Sequence, residues 1–371
     1  MSARRPESGV QEPQQRQPGV APSLSALFVA FLRLGATAFG GPAMVAYIRQ
    51  MAVDRKGWLN ARTFDDGVAL CQAVPGATAM QTAAYVGLRV RGVAGAAASF
   101  VGFGLPAFVL MMALSAVYAR THNLPGVVAA FSGLQAIVVA IVANAAVSFG
   151  LTTLKHWRQV PITVLAVALY SWGVNPCLVV ISAALLGFWL IKEDASVAPT
   201  VAGPVAMPAT TKPVMAILGA AAVVLVILFL TRPQLYHLAL IMFRIDLFAF
   251  GGGFASVPLL FTEVVTVRQW LDSPALLDGI VLGQVTPGPI VITSTFVGYL
   301  LNGTLGAIVA TLGVFLPSFL IVVATAPYYA RLRTSPAFGR LIGGALCSFL
   351  LSLTSLPVIT STCCPSSWIL R

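Results

Sequence analysis

Two short stretches carry the residue types for chemistry: Gln72-Ala73-Val74-Pro75-Gly76 and Gln284-Val285-Thr286-Pro287-Gly288. Both lie inside apolar runs long enough to enter a membrane. Proline removes a backbone donor and clashes with the turn before it, so each Pro-Gly interrupts a helix. In lipid, an interrupted helix bares N–H and C=O groups that cost several kcal/mol each unless something satisfies them. The chemistry on offer is anion binding, because a helix N-terminus presents free N–H groups and about half a positive charge. Gln72 and Gln284 add amide donors, and Thr286, Thr293, Ser294 and Thr295 add hydroxyls. A packing kink is the plainer reading of one Pro-Gly. Two at matching sites, each after a Gln, favour half-helices lining a cavity.

Arg33 and Arg244 occupy equivalent positions in the first apolar stretch of each half. A guanidinium binds oxyanions in a bidentate fork and stays charged. The alternative is that each sits near an interface and extends its charged end to water. Six residues after each comes a Phe-Gly-Gly: Phe39-Gly40-Gly41 and Phe250-Gly251-Gly252, with Gly253 added. Glycines there permit close backbone approach or unwinding; tight helix packing is the competing reading. Asp246 breaks the symmetry, since its counterpart is Gly35. It could carry a proton, as a coupling group, or pair with a cation on another helix. Glu263 and Asp272 read as loop residues.

The elements that position these residues follow from composition. Of 371 residues, 58% are hydrophobic and 9% charged. Soluble domains carry about 25% charged residues, so the sequence is that of an all-α integral membrane protein. The net charge of +11 would suggest nucleic acid in a soluble protein; here short-loop Lys and Arg set orientation, and no nucleic-acid partner is expected. Cys71, Cys177, Cys347, Cys363 and Cys364 form no C-x-x-C pair, and with three His they support neither a metal site nor a disulfide framework. About 11 hydrophobic spans can be marked, among them 24–47, 65–87, 93–118, 236–260 and 275–300. Asp65 and Asp66 mark one helix start, and Ser273-Pro274 an N-cap and first turn in the other half. Residues 1–22 read as a disordered tail, 193–213 as a polar linker and 214–231 as a connecting span.

The linker separates two copies of one pattern. "FLRLGATAFGG" at 31–41 matches "MFRIDLFAFGG" at 242–252, and "LPAFVLMMALSAVYAR" matches "LPSFLIVVATAPYYAR", at an offset of 211 or 212. The repeats are 23–192 and 234–371. Six spans plus the connector invert the second copy, the arrangement of secondary transporters with a midplane site. With the N-terminus inside, thirteen Lys and Arg fall inside and six outside, and the loop 49–62 is the main violation.

These motifs together resemble the chromate ion transporter (CHR) family in its long, two-domain form. The carrying residues are FGGP at 39–42 and FGGG at 250–253, QAVPG at 72–76 and QVTPGP at 284–289. The resemblance covers about 24–345 and implies chromate efflux, hence chromate resistance, across a bacterial inner membrane, with sulfate as a related oxyanion. The candidate substrate-binding residues, read from the breaks, glycines, hydroxyls and arginines above, are Arg33, Gly40, Gly41, Gln72, Pro75, Gly76, Arg244, Gly251, Gly252, Gln284, Thr286, Pro287, Gly288, Thr293 and Ser294. No flavin, haem or iron–sulfur motif is present, so no cofactor is expected and a membrane-embedded chromate reductase is the weaker alternative; oxyanion uptake is the other. A homodimer is compatible with this class. From about 345 the sequence departs from the pattern and reads as a shortened or altered end.

Overall fold

A computed structural model describes residues 22–39, 43–153, 157, 159–191, 210–329, 332 and 335–348. The expected tail 1–22 (except Pro22), most of the linker 193–213, Gly40, Gly41 and the altered end beyond 348 lie outside the described residues. Among those described, the chain is helical and without strands.

The first repeat opens with α1 (Leu24–Thr37), capped by the Ser23 hydroxyl, which accepts from Ala26 N. After the Phe-Gly-Gly come α2 (Ala43–Arg49) and a π-helical turn, Gln50–Arg55. Next are α3 (Ala61–Ala73) and α4 (Thr78–Thr121). Then follow α5 (Pro125–Thr153), α6 (Gln159–Ser171), α7 (Pro176–Leu190) and the connector α8 (Thr211–Thr231). The second repeat runs through α9 (Pro233–Leu247), α10 (Ser256–Phe261), a π-helical turn Thr262–Val267, α11 (Ser273–Val285) and α12 (Thr293–Thr325). Finally α13 (Pro336–Cys347) packs on α7 where Gly187 meets Gly344.

The repeat extends to backbone detail. Gly76 and Gly288 have φ of +119° and +121°, and Gly92 and Gly303 of +64° and +58°. Gly57 (φ +59°) answers to Gln269 (φ +53°). Helix α3 is capped by Asn60, which accepts from Thr63 N, and α11 by Asp272, which accepts from Ala275 N. These caps correct the expected starts at Asp65–Asp66 and Ser273: the chain uses the first short polar side chain able to reach back to a free N–H.

The expected span 65–87 does not cross. Tyr85 donates to Thr63 O at 3.2 Å, and Gly67 packs against the Tyr85 ring. The two flanks of the Pro75-Gly76 turn are therefore antiparallel arms of a hairpin. Helix α4 folds again at Arg91–Gly92, where φ/ψ leave the helical region. Ser99 then donates back to Ala83 O at 2.7 Å, and Gly87 faces Gly95. Only the segment 93–121 continues onward. The second repeat does the same: Gly279 packs on Phe296 across the Pro287-Gly288 turn, and Thr295 meets Thr311 at 2.7 Å across the break at Asn302–Gly303. Each arm of about 13 residues rises about 20 Å, short of the roughly 30 Å hydrocarbon core.

The expected span 24–47 also turns back. Arg91 Nε donates to Pro22 O at 2.7 Å, so the start of α1 and the Arg91 turn share one face, and the start of α3 lies beside that turn. The counterpart in the second repeat is direct: Arg244 and Glu263, on opposite sides of the glycine stretch 250–253, are joined at 2.9 Å. Glu263 is thus a buried partner inside a π-helical turn and not a loop residue. Among the described residues, Thr78–Thr121, Thr211–Thr231 and Ile290–Tyr328 are the helices long and apolar enough to cross a membrane.

The two repeats run in opposite directions. Tyr118, at the far end of α4, packs on Phe296 and bonds Asp278 near the start of α11. Phe100, near the Gly92 turn, packs on Phe315 and Phe319 in the far half of α12. Each hairpin tip bonds the other repeat just before its Phe-Gly-Gly: Gly76 N donates to Ala249 O at 3.0 Å, and Gly288 N to Ala38 O at 3.2 Å.

Candidate anion site

A cavity of about 840 Å³ reaches from an exposed edge at Arg49 and Asp65 to the hairpin tips. Its floor holds Gln72, Ala77–Ala79, Gly251–Gly253, Pro289 and Ile290. Helix α4 begins there. Its N-cap is Ala77, which has no side-chain oxygen. The first intrahelical bond runs from Gln81 N to Ala77 O at 2.9 Å, which leaves the N–H groups of Thr78, Ala79 and Met80 without a partner in the helix. The facing glycines keep this end open. Gly251 and Gly252 have φ of +98° and +92°, and a Cβ on Gly252 would stand 3.1 Å from Thr78 Oγ1. Uncapped donors, a glycine wall and a charged rim are groups that can hold a small anion. At the rim, Arg49 Nε lies 3.6 Å from Asp65 Oδ1, and both side chains reach solvent.

Of the expected site residues, Gln72, Gly251 and Gly252 line this cavity. Pro75 and Gly76 form the tip behind its floor. Pro75 O accepts from Gln81 Nε2 at 2.6 Å, and Gly76 packs against Ser318, Gln81 and Asp246. Pro287 and Gly288 form the opposite tip, where a Cβ on Gly288 would meet Ala107. Thr286, Thr293 and Ser294 are buried in the second hairpin. Thr286 and Thr293 donate to the carbonyls of Gly283 and Ile290, so those hydroxyls are committed to the backbone. Ser294 Oγ and Gln284 Nε2 are buried without partners.

The two arginines lie elsewhere. Arg33 is exposed and does not line the cavity. Arg244 is held by Glu263 at 2.9 Å, Asn175 Oδ1 at 2.9 Å and Cys177 Sγ at 3.1 Å. Its charge is answered within the protein, because Glu263 is buried and needs the cation. The cation the sequence reading passed over is Arg49, which reads there as a loop residue. The signal was its position just after the Gly-Gly stretch, a distance that a folded-back chain returns to the cavity wall.

The chromate transporter family matches residues 25–188 and 236–364, one copy on each repeat. The chain belongs to the chromate transporter family. It is 37% identical over 338 residues to an uncharacterized transporter of Methanocaldococcus jannaschii, covering 91% of this chain and 84% of that one. It is 30% identical over 354 residues to a chromate transport protein of Cupriavidus metallidurans, covering 91% and 82%. A chromate transport protein of Pseudomonas aeruginosa is 33% identical over 304 residues, covering 79% and 70%. No solved structure matches the chain.

Proposed function

We propose that this family member carries chromate, and tetrahedral oxyanions like it, out of the cytoplasm through the cavity between the hairpin tips. The supporting observation is the uncapped start of α4 facing the Gly251–Gly253 wall, a seat built of backbone donors. Such donors favour an anion without placing a full positive charge in the membrane. Two relatives are named chromate transport proteins.

Orientation supports export. The hairpins bring Arg55, Lys56, Arg62, Arg89 and Arg91 to the face where α1 begins, against Arg120, Arg232 and Arg268 on the other. The positive-inside tendency makes the first face cytoplasmic, with the N-terminus on that side. The loop 49–62 then ceases to be a violation. The cavity mouth at Arg49 and Asp65 belongs to this face, so the seat is filled from the cytoplasm. A bacterial inner membrane supplies the voltage that drives a dianion outward.

The test is labelled chromate in proteoliposomes, with sulfate as competitor. Chromate movement above protein-free vesicles, reduced when Gln72 or the Gly251–Gly253 wall is altered, is expected. Reduction of chromate by the purified protein without movement would overturn the reading in favour of an enzyme.

A further inference from the structure

Behind the floor of the anion seat lies a group the seat itself does not use. Asp246 is fully buried, and its Oδ2 accepts from Ser318 N at 2.9 Å and from Ser318 Oγ at 2.7 Å. Ser318 Oγ in turn accepts from Ala77 N at 2.8 Å, and Ala77 lines the cavity at the start of α4. Two hydrogen bonds therefore connect the carboxyl to the seat. The other carboxyl oxygen, Oδ1, has no partner, and neither has the buried Oε1 of Gln81. Both side chains crowd the same spot: a Cβ on Gly76 would lie 2.7 Å from Gln81 Nε2 and 3.3 Å from Asp246 Oδ2.

We infer that Asp246 takes up a proton at Oδ1 when an anion fills the seat, so that anion and proton are bound together. This rests on the proposed seat at α4. A buried acceptor without a donor is costly, and a proton on Oδ1 supplies the donor. No charged side chain among the described residues faces the carboxyl. Arg244, on the same helix, is turned to Glu263, while the turn before α4 presents the neutral Gly76 and Ala77, α4 Gln81 and α12 Ser318. An unanswered carboxylate behind the seat repels an incoming anion, and neutralising it removes the repulsion. By linkage, the anion favours the proton as much as the proton favours the anion. In the first repeat the corresponding residue is Gly35, whose place is taken up by close contact with the Phe103 backbone, so only one tip carries this device.

The test uses the purified full chain in lipid nanodiscs with sulfate, whose charge is constant over the range. Wild type should bind sulfate more tightly as pH falls, approaching about tenfold per unit if one proton is linked. In weakly buffered solution it should take up close to one proton per sulfate bound. Asp246→Asn should bind with no pH dependence and no proton uptake. In vesicles, reversal potentials should read one net charge per anion for wild type and two for Asp246→Asn. Binding by wild type without proton uptake, or the same pH dependence in Asp246→Asn, would overturn the inference while leaving the seat intact. If Asp246→Asn fails to fold, the wild-type proton count decides alone. No sulfate or chromate binding at any pH would instead overturn the proposed seat.

Discussion

Gly76→Ala is the substitution in which the geometry of the tip speaks most loudly. At φ +119° the residue lies well away from the left-handed well near +57°, and holding an L residue there costs about 1–3 kcal/mol. The added methyl would also clash with Ser318 Oγ and stand 2.7 Å from Gln81 Nε2. Both atoms are engaged, one by Ala77 N and Asp246, the other by Pro75 O. Making room breaks one of these bonds or shifts the backbone, a further 1–3 kcal/mol or so. The sum, roughly 2–6 kcal/mol, is a large part of a stability that is typically 5–15 kcal/mol. The matched control is Gly57→Gln. Gly57 sits at φ +59° with nothing within 4 Å of a Cβ, and its counterpart in the second repeat is already Gln269 at φ +53°. That change should cost about 1 kcal/mol. The assay is chromate transport in vesicles, normalised to folded protein by gel filtration, with thermal unfolding in detergent. Gly76→Ala should lose transport and melt several degrees lower, with Gly57→Gln close to wild type. If Gly76→Ala transports and melts like Gly57→Gln, the tip is not packed as described.

Arg244→Ala should destabilise the fold by about 3–5 kcal/mol, because Glu263 would stay buried with only Arg268, 3.8 Å away, as cation; adding Glu263→Gln should recover much of the melting temperature. Arg33→Ala, at an exposed position outside the cavity, should leave chromate affinity within about twofold of wild type. Arg49→Ala should weaken chromate binding at least several-fold, and less at high salt, since the guanidinium lies on the solvent-reached rim. Tyr118→Phe should cost about 1 kcal/mol in thermal stability through loss of the 2.8 Å bond to Asp278, without a change in charge carried per anion.

The duplication was legible in the sequence because the same glycines recur at an offset of 211 or 212, and the structure repeats their backbone angles at Gly76 and Gly288. The breaks at the Pro-Gly pairs were legible too, and of the residues singled out there Gln72, Gly251 and Gly252 line the cavity. What hydropathy could not tell is whether an apolar arm continues or returns. A window of apolar residues reads the same in either case, and the turns at Arg91–Gly92 and Asn302–Gly303 are short enough to be lost inside it. That single ambiguity kept Arg49 from being seen as a residue of the cavity wall. It also hid Glu263, whose partner Arg244 becomes a neighbour only when the chain folds back. Asp246 stood out as the residue without a counterpart, but its bond to Ser318 joins positions 72 residues apart and had no signal in local pattern.

The most direct test of the account is electrical. A dianion crossing 100 mV exchanges about 4.6 kcal/mol, and one accompanied by a proton about 2.3 kcal/mol. Proteoliposomes loaded with labelled chromate are given a potassium diffusion potential, negative inside, with no pH gradient. The account predicts that chromate leaves faster than from protein-free vesicles, that the rate grows with voltage, and that efflux persists in Asp246→Asn. Efflux indifferent to voltage, together with an absolute need for a pH gradient, would contradict it.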